Sequence, residues 1–270
     1  MELGCSTLPY GHFGLARALQ KIASTGYKAI ELSTIGQKAR HIEISKSGAY
    51  YESLKTQIAD SGLAIESIGA SGNLRLGKDH MCQVLDAAAA VNAPVITCGS
   101  GGISDDEASF KELVNIVTES AREGAKRGVK ISLKPHVNHA VYSTDSSHRF
   151  MQEVDPEWVG INYDPTHLYR APALEDPENT VDPILNEILT LRVRDVKGRQ
   201  EAISPIQTQV AGSGDLDLPA IAAKVKSAPR LSYAVLELHA PGSEKREIPV
   251  EEIDDIIQRS FDYLNPLFRD

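Results

Sequence analysis

Eight short β-rich runs, each followed by an amphipathic stretch, constrain this chain more than any other feature. The runs are ELGCSTL (2–8), AIELS (29–33), AIESIGAS (64–71), PVITCGS (94–100), KISLKPH (130–136), VGINYDPTH (159–167), LRVRDV (191–196) and SYAVLELH (232–239). Apolar residues at helical spacing fill the segments 14–25, 50–61, 79–92, 104–128, 146–154, 218–227 and 250–265 between them. Strict alternation of strand and helix implies parallel strands joined by helical crossovers. Eight units in 270 residues average about 34 residues each, the size of one βα unit. The expected fold class is therefore α/β, as a closed (β/α)8 TIM barrel, with an open doubly wound sheet as the alternative. No linker, low-complexity tract or break in composition divides the chain, so one domain spanning 1–270 is expected.

Local signals place some boundaries. Ser104 with Glu107 three residues later reads as a capping box. Phe110, Leu113, Val114 and Val117 form the apolar face that follows, and Gly128 suits the position beyond the helix end. Asp182-Pro183 reads as a further helix start with proline at the first helical position. The loop after the first run, with Tyr10 and His12, reads as solvated.

In a barrel strand, alternate residues point inward. Ile131 and Leu133 then face the helices, while Ser132, Lys134 and His136 face the interior. The same parity puts Gly160, Asn162 and Asp164 inside, then Arg192 and Arg194, then Val235, Glu237 and His239. Four consecutive strands thus aim ionisable groups inward near their C-terminal ends, where barrel enzymes keep their chemistry. Buried charges are costly unless paired, so Lys134, Asp164, Arg192, Arg194 and Glu237 read together as a pocket. Three cations against two carboxylates leave a formal excess of one positive charge, inside a chain of net charge -9. Such a cleft favours an anionic ligand, and arginine suits a carboxylate or phosphate.

GYKAIELS, SLKPH, VGINYDPTHLYRAP, LRVRDVKG, GSGDLDLPAI and YAVLELH, in this order and spacing, resemble the sugar phosphate isomerase/epimerase family of xylose-isomerase-like TIM barrels. The resemblance covers most of the chain. It implies a divalent metal (Mn, Mg or Zn) held by a glutamate, an aspartate, a histidine and a second glutamate. Matched motif by motif, the aspartate falls on Asp164 and the second glutamate on Glu237. The first glutamate's place is taken by Lys134 and the histidine's by Arg192, so this is an atypical member. Charged lysine and arginine offer no lone pair to a metal, and no cofactor is expected. If a metal is held at all, the remaining donors are Asp164 and Glu237 with His136 or His239.

The resemblance implies proton removal next to a sugar carbonyl, through an enediolate. Lys134, Arg192 or Arg194 would stabilise the oxyanion and Glu237 or Asp164 would move the proton. His136, His167, Arg194, Glu66 and His239 are the expected substrate contacts. The expected enzyme is thus an isomerase or epimerase of a keto sugar or sugar acid, metal-independent. One alternative is a lyase or decarboxylase of a keto sugar acid, with Lys134 and the arginines holding the enolate or Lys134 forming an imine. Another is a non-catalytic binding protein for an anionic sugar. Gly99-Ser100-Gly101-Gly102 and Gly212-Ser213-Gly214 could cradle phosphate, but structural turns are the plainer reading.

The acidic balance argues against nucleic acid as a partner. The expected partner is a small sugar, sugar acid or sugar phosphate, and the family allows a homo-oligomer. No run reaches the ~20 apolar residues of a membrane span. Cys5, Cys82 and Cys98 are sparse and unclustered, and MELGCSTL lacks the basic and apolar regions of a signal peptide. A cytoplasmic protein is expected.

Overall fold

The strands are β1 (Glu2–Ser6), β2 (Ala29–Ile35), β3 (Ala39–Arg40), β4 (Ala64–Gly69), β5 (Val95–Gly99), β6 (Lys130–Lys134), β7 (Val159–Tyr163), β8 (Ile188–Val193) and β9 (Tyr233–Leu236). In this computed structural model all residues are described except 37, 172, 174, 201, 202, 204, 240–247 and 270. The sheet order is β1-β9-β8-β7-β6-β5-β4-β2-β3, and a β1–β2 pairing closes the ring. Gly4 of β1 stands opposite both Ala29 of β2 and Val235 of β9. The eight ring strands are parallel, and β3 adds two antiparallel residues to the end of β2. The expected closed (β/α)8 barrel is what forms.

Around it run α1 (Leu15–Thr25), α2 (Gly48–Asp60), α3 (Lys78–Ala90), α4 (Glu107–Ala125), α5 (Thr144–Glu153), α6 (Pro165–Arg170), α7 (Pro177–Ile184), α8 (Leu218–Val225) and α9 (Val250–Phe268). Ile131, Leu133, Ile161, Leu191 and Val193 point outward and are buried against these helices. The inward parity also holds: the Ser132 and Thr190 hydroxyls meet at 2.8 Å inside the barrel.

Several boundaries differ from expectation, among them β8, which spans Ile188–Val193 rather than 191–196, and three of the differences have a clear local reason. The run 159–167 does not stay extended. β7 stops at Tyr163, because Asp164 caps α6 with Pro165 at its first position. The cap of α4 is Asp106, whose carboxylate accepts from the Ser109 amide at 2.6 Å, so Ser104 and Glu107 form no capping box. Asp182-Pro183 does not open a helix. Asp176-Pro177 does so six residues earlier, and Pro183 lies inside α7. The loop after β1 is not wholly solvated: Tyr10 is buried and donates to Asp254 at 2.7 Å, while His12 is exposed. Among the described residues no helix is long and apolar enough to cross a membrane.

Candidate active site

Lys134 is the last residue of β6 and points into the barrel mouth. Its ammonium donates to both Glu237 carboxylate oxygens at 2.8 Å and to Asp164 Oδ2 at 3.2 Å. Asp164 is held from four sides. Its Oδ1 accepts from the Thr166 amide at 3.1 Å and hydroxyl at 2.6 Å, and its Oδ2 accepts from Lys134 and, at 2.9 Å, from Arg194. Burial pushes the Asp164 carboxyl up, but the Arg194 guanidinium and Lys134 ammonium outweigh it and hold it well below the usual carboxylate range.

Arg192 lies one layer deeper, fully buried. Its guanidinium reaches Glu31 at 2.7 Å, both Glu66 oxygens at 3.2 Å and the Ser67 hydroxyl at 3.0 Å. Its Nε also stands 3.3 Å from Glu237. Burial works against this cation, yet the three carboxylates raise its pKa above the usual arginine value. Burial pushes Glu31 up as well, but Arg192 and Lys134 bring it down to about 2. For Glu66 burial outweighs Arg192, and its carboxyl is raised. Arg192 and Glu66 are therefore floor rather than wall: neither lines the cavity, nor does Asp164.

The cavity above this floor has a volume of about 440 Å³, and Lys134, Glu237, Arg194, His136, His167 and His239 line it. A larger cavity of about 570 Å³ lies between α3 and α4 and shares Leu74 and Arg75 with the first. His136 is in the loop beyond β6 and His167 in α6. His139, His136 and His167 form a continuous row, with ring centroids 4.3 and 4.0 Å apart. Burial, with His139 beside it, lowers His136 to about 3. Burial and the Arg75 guanidinium lower His139 to about 4. Burial and His136 also hold His167 well below its ordinary value. The row is thus neutral at pH 7. His239 stands at the rim, its Nε2 2.7 Å from Lys38 Nζ.

Every expected site residue therefore lies at or beneath the mouth, but the charge balance differs from expectation. Glu31 and Glu66 turn the excess of one positive charge into an excess of one negative charge for the whole cluster. Glu31 is the missed member. It shares the inward parity of the motif GYKAIELS, but its partner Arg192 is 161 residues away, a pairing no local pattern reports. Arg170 is a second omission. It is buried at the end of α6, three residues beyond the run expected to be extended, and its Nη2 lies 3.2 Å from His167 Nδ1.

The donor set does not fit a divalent metal. Asp164 and Glu237 are already bonded to the Lys134 ammonium, which offers no lone pair. Among the described residues no three or more His, Cys, Asp or Glu side chains are grouped to hold an ion. His136 and His239 complete no such group with the two carboxylates. In each glycine run one amide is taken up within the protein: the Gly101 amide donates to His139 Nδ1 at 2.8 Å and the Gly212 amide to Asp195 at 3.0 Å.

Residues 19–267 match the model of the xylose isomerase-like TIM barrel family. The chain belongs to that family. No curated protein sequence matches it. Solved structures share the fold at low identity. A probable 3-DHS dehydratase from Bacillus anthracis, AsbF, is 17% identical with a TM-score of 0.74, over 98% of this chain and 99% of that one. D-psicose 3-epimerase from Clostridium cellulolyticum H10 is 14% identical with a TM-score of 0.78, over the whole of both chains. A sugar phosphate isomerase/epimerase from Parabacteroides distasonis is 17% identical with a TM-score of 0.71, over 99% and 95%. These neighbours thus include an epimerase, an isomerase/epimerase and a dehydratase.

Proposed function

We propose that this protein is an enzyme that shifts a proton next to the carbonyl of a keto sugar or sugar acid, through an enediolate and without a divalent metal. The observation that carries the reading is the Lys134 ammonium fixed between Glu237 and Asp164 at the C-terminal mouth of the barrel. In an enediolate reaction negative charge develops on the carbonyl oxygen. A preorganised cation at that point lowers the barrier, because it need not reorganise as the charge forms. Lys134 and Arg194 both line the cavity and supply such cations. Glu237 is the lining carboxylate that moves the proton. Asp164 and Arg192 position these groups: Asp164 aligns Lys134 with Arg194, and Arg192 backs Glu237.

A second reading is a lyase or decarboxylase of a keto sugar acid. One observation favours it: both oxygens of Glu237 accept from Lys134, which weakens Glu237 as a base. Decarboxylation of a β-keto acid leaves an enolate that the same cations would hold, with no carbon base. The imine variant of this chemistry is not part of the reading, since a neutral Lys134 would forfeit two carboxylate partners. Incubation of the protein with a panel of keto sugars and keto sugar acids in heavy water, followed by NMR, separates the outcomes. Deuterium gained at the carbon beside the carbonyl, with no loss of carbon dioxide or water, supports the isomerase or epimerase. Release of carbon dioxide or water supports the lyase. Tight binding without either leaves only a binding protein and defeats both.

A further inference from the structure

The wall of the site is far more cationic than its floor. Lys38, Arg75, Lys134, Arg170 and Arg194 line the cavity, against the single lining carboxylate Glu237 among the described residues. Lys134 and Arg194 share Asp164 and Glu237 beneath them. Of the five, Lys38, Arg75 and Arg170 are not used by the proposed proton transfer.

Their placement follows from the ring of strands. Arg75 follows β4 and Arg194 follows β8, four places apart in a ring of eight. Lys38 follows β2 and Arg170 ends the helix after β7, again four places apart. The cations are thus split between opposite sides of the mouth. Arg75 is packed across Gly101, where an added Cβ would lie 2.5 Å from its Nε. It is exposed, and no ion pair of its own is seen among the described residues.

Between the two sides runs the row of neutral imidazoles. His139 accepts from the Gly101 amide at Nδ1, so its proton is on Nε2 and available to a hydroxyl. At the far end His167 meets two guanidiniums, Arg170 at 3.2 Å from Nδ1 and Arg194 at 3.3 Å from Nε2. A neutral ring has one lone pair, so it accepts from only one of them. An anionic oxygen seated between the two arginines would accept from both.

Resting on the enediolate reading above, we propose that the substrate is a dianion, an open-chain polyhydroxy keto compound with one anionic group held by Arg170 and Arg194 beside the reacting carbons and a second held across the mouth by Arg75. Two chemistries share that form, a sugar dicarboxylate and a phosphorylated sugar acid.

Calorimetric titration of the full chain with fructose, gluconate, glucarate and 6-phosphogluconate tests the charge requirement without relying on turnover. At least one dianion is expected to bind about tenfold or more tighter than gluconate, as a charge-assisted hydrogen bond would give. Which dianion leads identifies the second group as carboxylate or phosphate. In Arg75→Gln that advantage shrinks to about threefold or less, and Arg75→Lys recovers part of it. Gluconate binding as tightly as both dianions, no binding of any probe, or an R75Q loss equal for gluconate and dianions would overturn the proposal. A protein that prefers dianions but exchanges no carbon-bound proton would overturn the reaction instead and leave the charge requirement standing.

Discussion

Lys134 is the residue on which the proposed metal-free chemistry turns. It sits on a strand end, 5% exposed, with two carboxylates as partners. An ammonium held that way is fixed and already desolvated, as an oxyanion stabiliser should be. Lys134→Met, which keeps the stem, is expected to lower kcat by ~10²–10³-fold while the protein stays folded by circular dichroism, the loss typical of one oxyanion donor. Unchanged turnover would remove Lys134 from the chemistry. The inward position of Lys134 was legible because strand parity and the motif SLKPH both point at it. Arg170 and Arg75 were not legible. Arg170 belongs to a helix created by the Asp164 cap, and Arg75 to a short 3-10 turn whose position depends on packing against Gly101.

At the scale of elements, the strand ends are set by what the next helix needs. Asp164 serves two purposes: with one oxygen it caps α6, and with the other it aligns Lys134 and Arg194. Another junction is where α4 hands over to β6. The Gly124 carbonyl accepts from the Val129 amide at 3.0 Å, and a Cβ on Gly124 would lie 2.3 Å from the Val129 carbonyl oxygen. Gly124→Ala is therefore expected to destabilise by ~1–3 kcal/mol, an overpacking cost that outweighs the ~1 kcal/mol helix propensity would return. Chemical denaturation checks it, and a stabilised variant would show that α4 can shift freely against β6. The floor joins β2, β4 and β8 through Arg192, a contact between strands distant in sequence. Arg192→Met leaves Glu31 and Glu66 buried without their cation and is expected to cost ~3–5 kcal/mol, as for other broken buried pairs. Adding Glu31→Gln and Glu66→Gln should recover much of that loss in the same denaturation experiment. Alternation alone identified the eight barrel units, because a period of two switching to 3.6 survives without tertiary information. The junctions at Asp106, Asp164 and Asp176 were missed because several Asp and Ser residues could cap each helix, and packing selects among them.

At the scale of the molecule, a chain of net charge -9 surrounds a mouth whose described lining carries a formal excess of four positive charges. Groups in and beneath this mouth tie folding to pH. His136 has its pKa lowered to about 3, so the unfolded chain binds the extra proton between about pH 6.5 and 3. That contribution is complete above pH 6.5 and is lost as pH falls toward 3. Glu31, lowered to about 2, adds stability that is present above about pH 4.5 and lost as pH falls toward 2. Thermal unfolding is therefore expected to weaken progressively below pH 6.5. His136→Phe, which keeps a ring but cannot titrate, should show a shallower decline between pH 6.5 and 3, and an identical decline would show that His136 stays accessible to protons. The central claim is that fixed side-chain cations carry out what a metal does in this barrel. The most direct measurement is the rate of solvent-deuterium exchange into a turned-over keto sugar acid by protein stripped with a chelator and verified metal-free by mass spectrometry. The rate is expected to stay unchanged and insensitive to added Mn, Mg or Zn. A rate that vanishes on stripping and returns with one of those ions would contradict it.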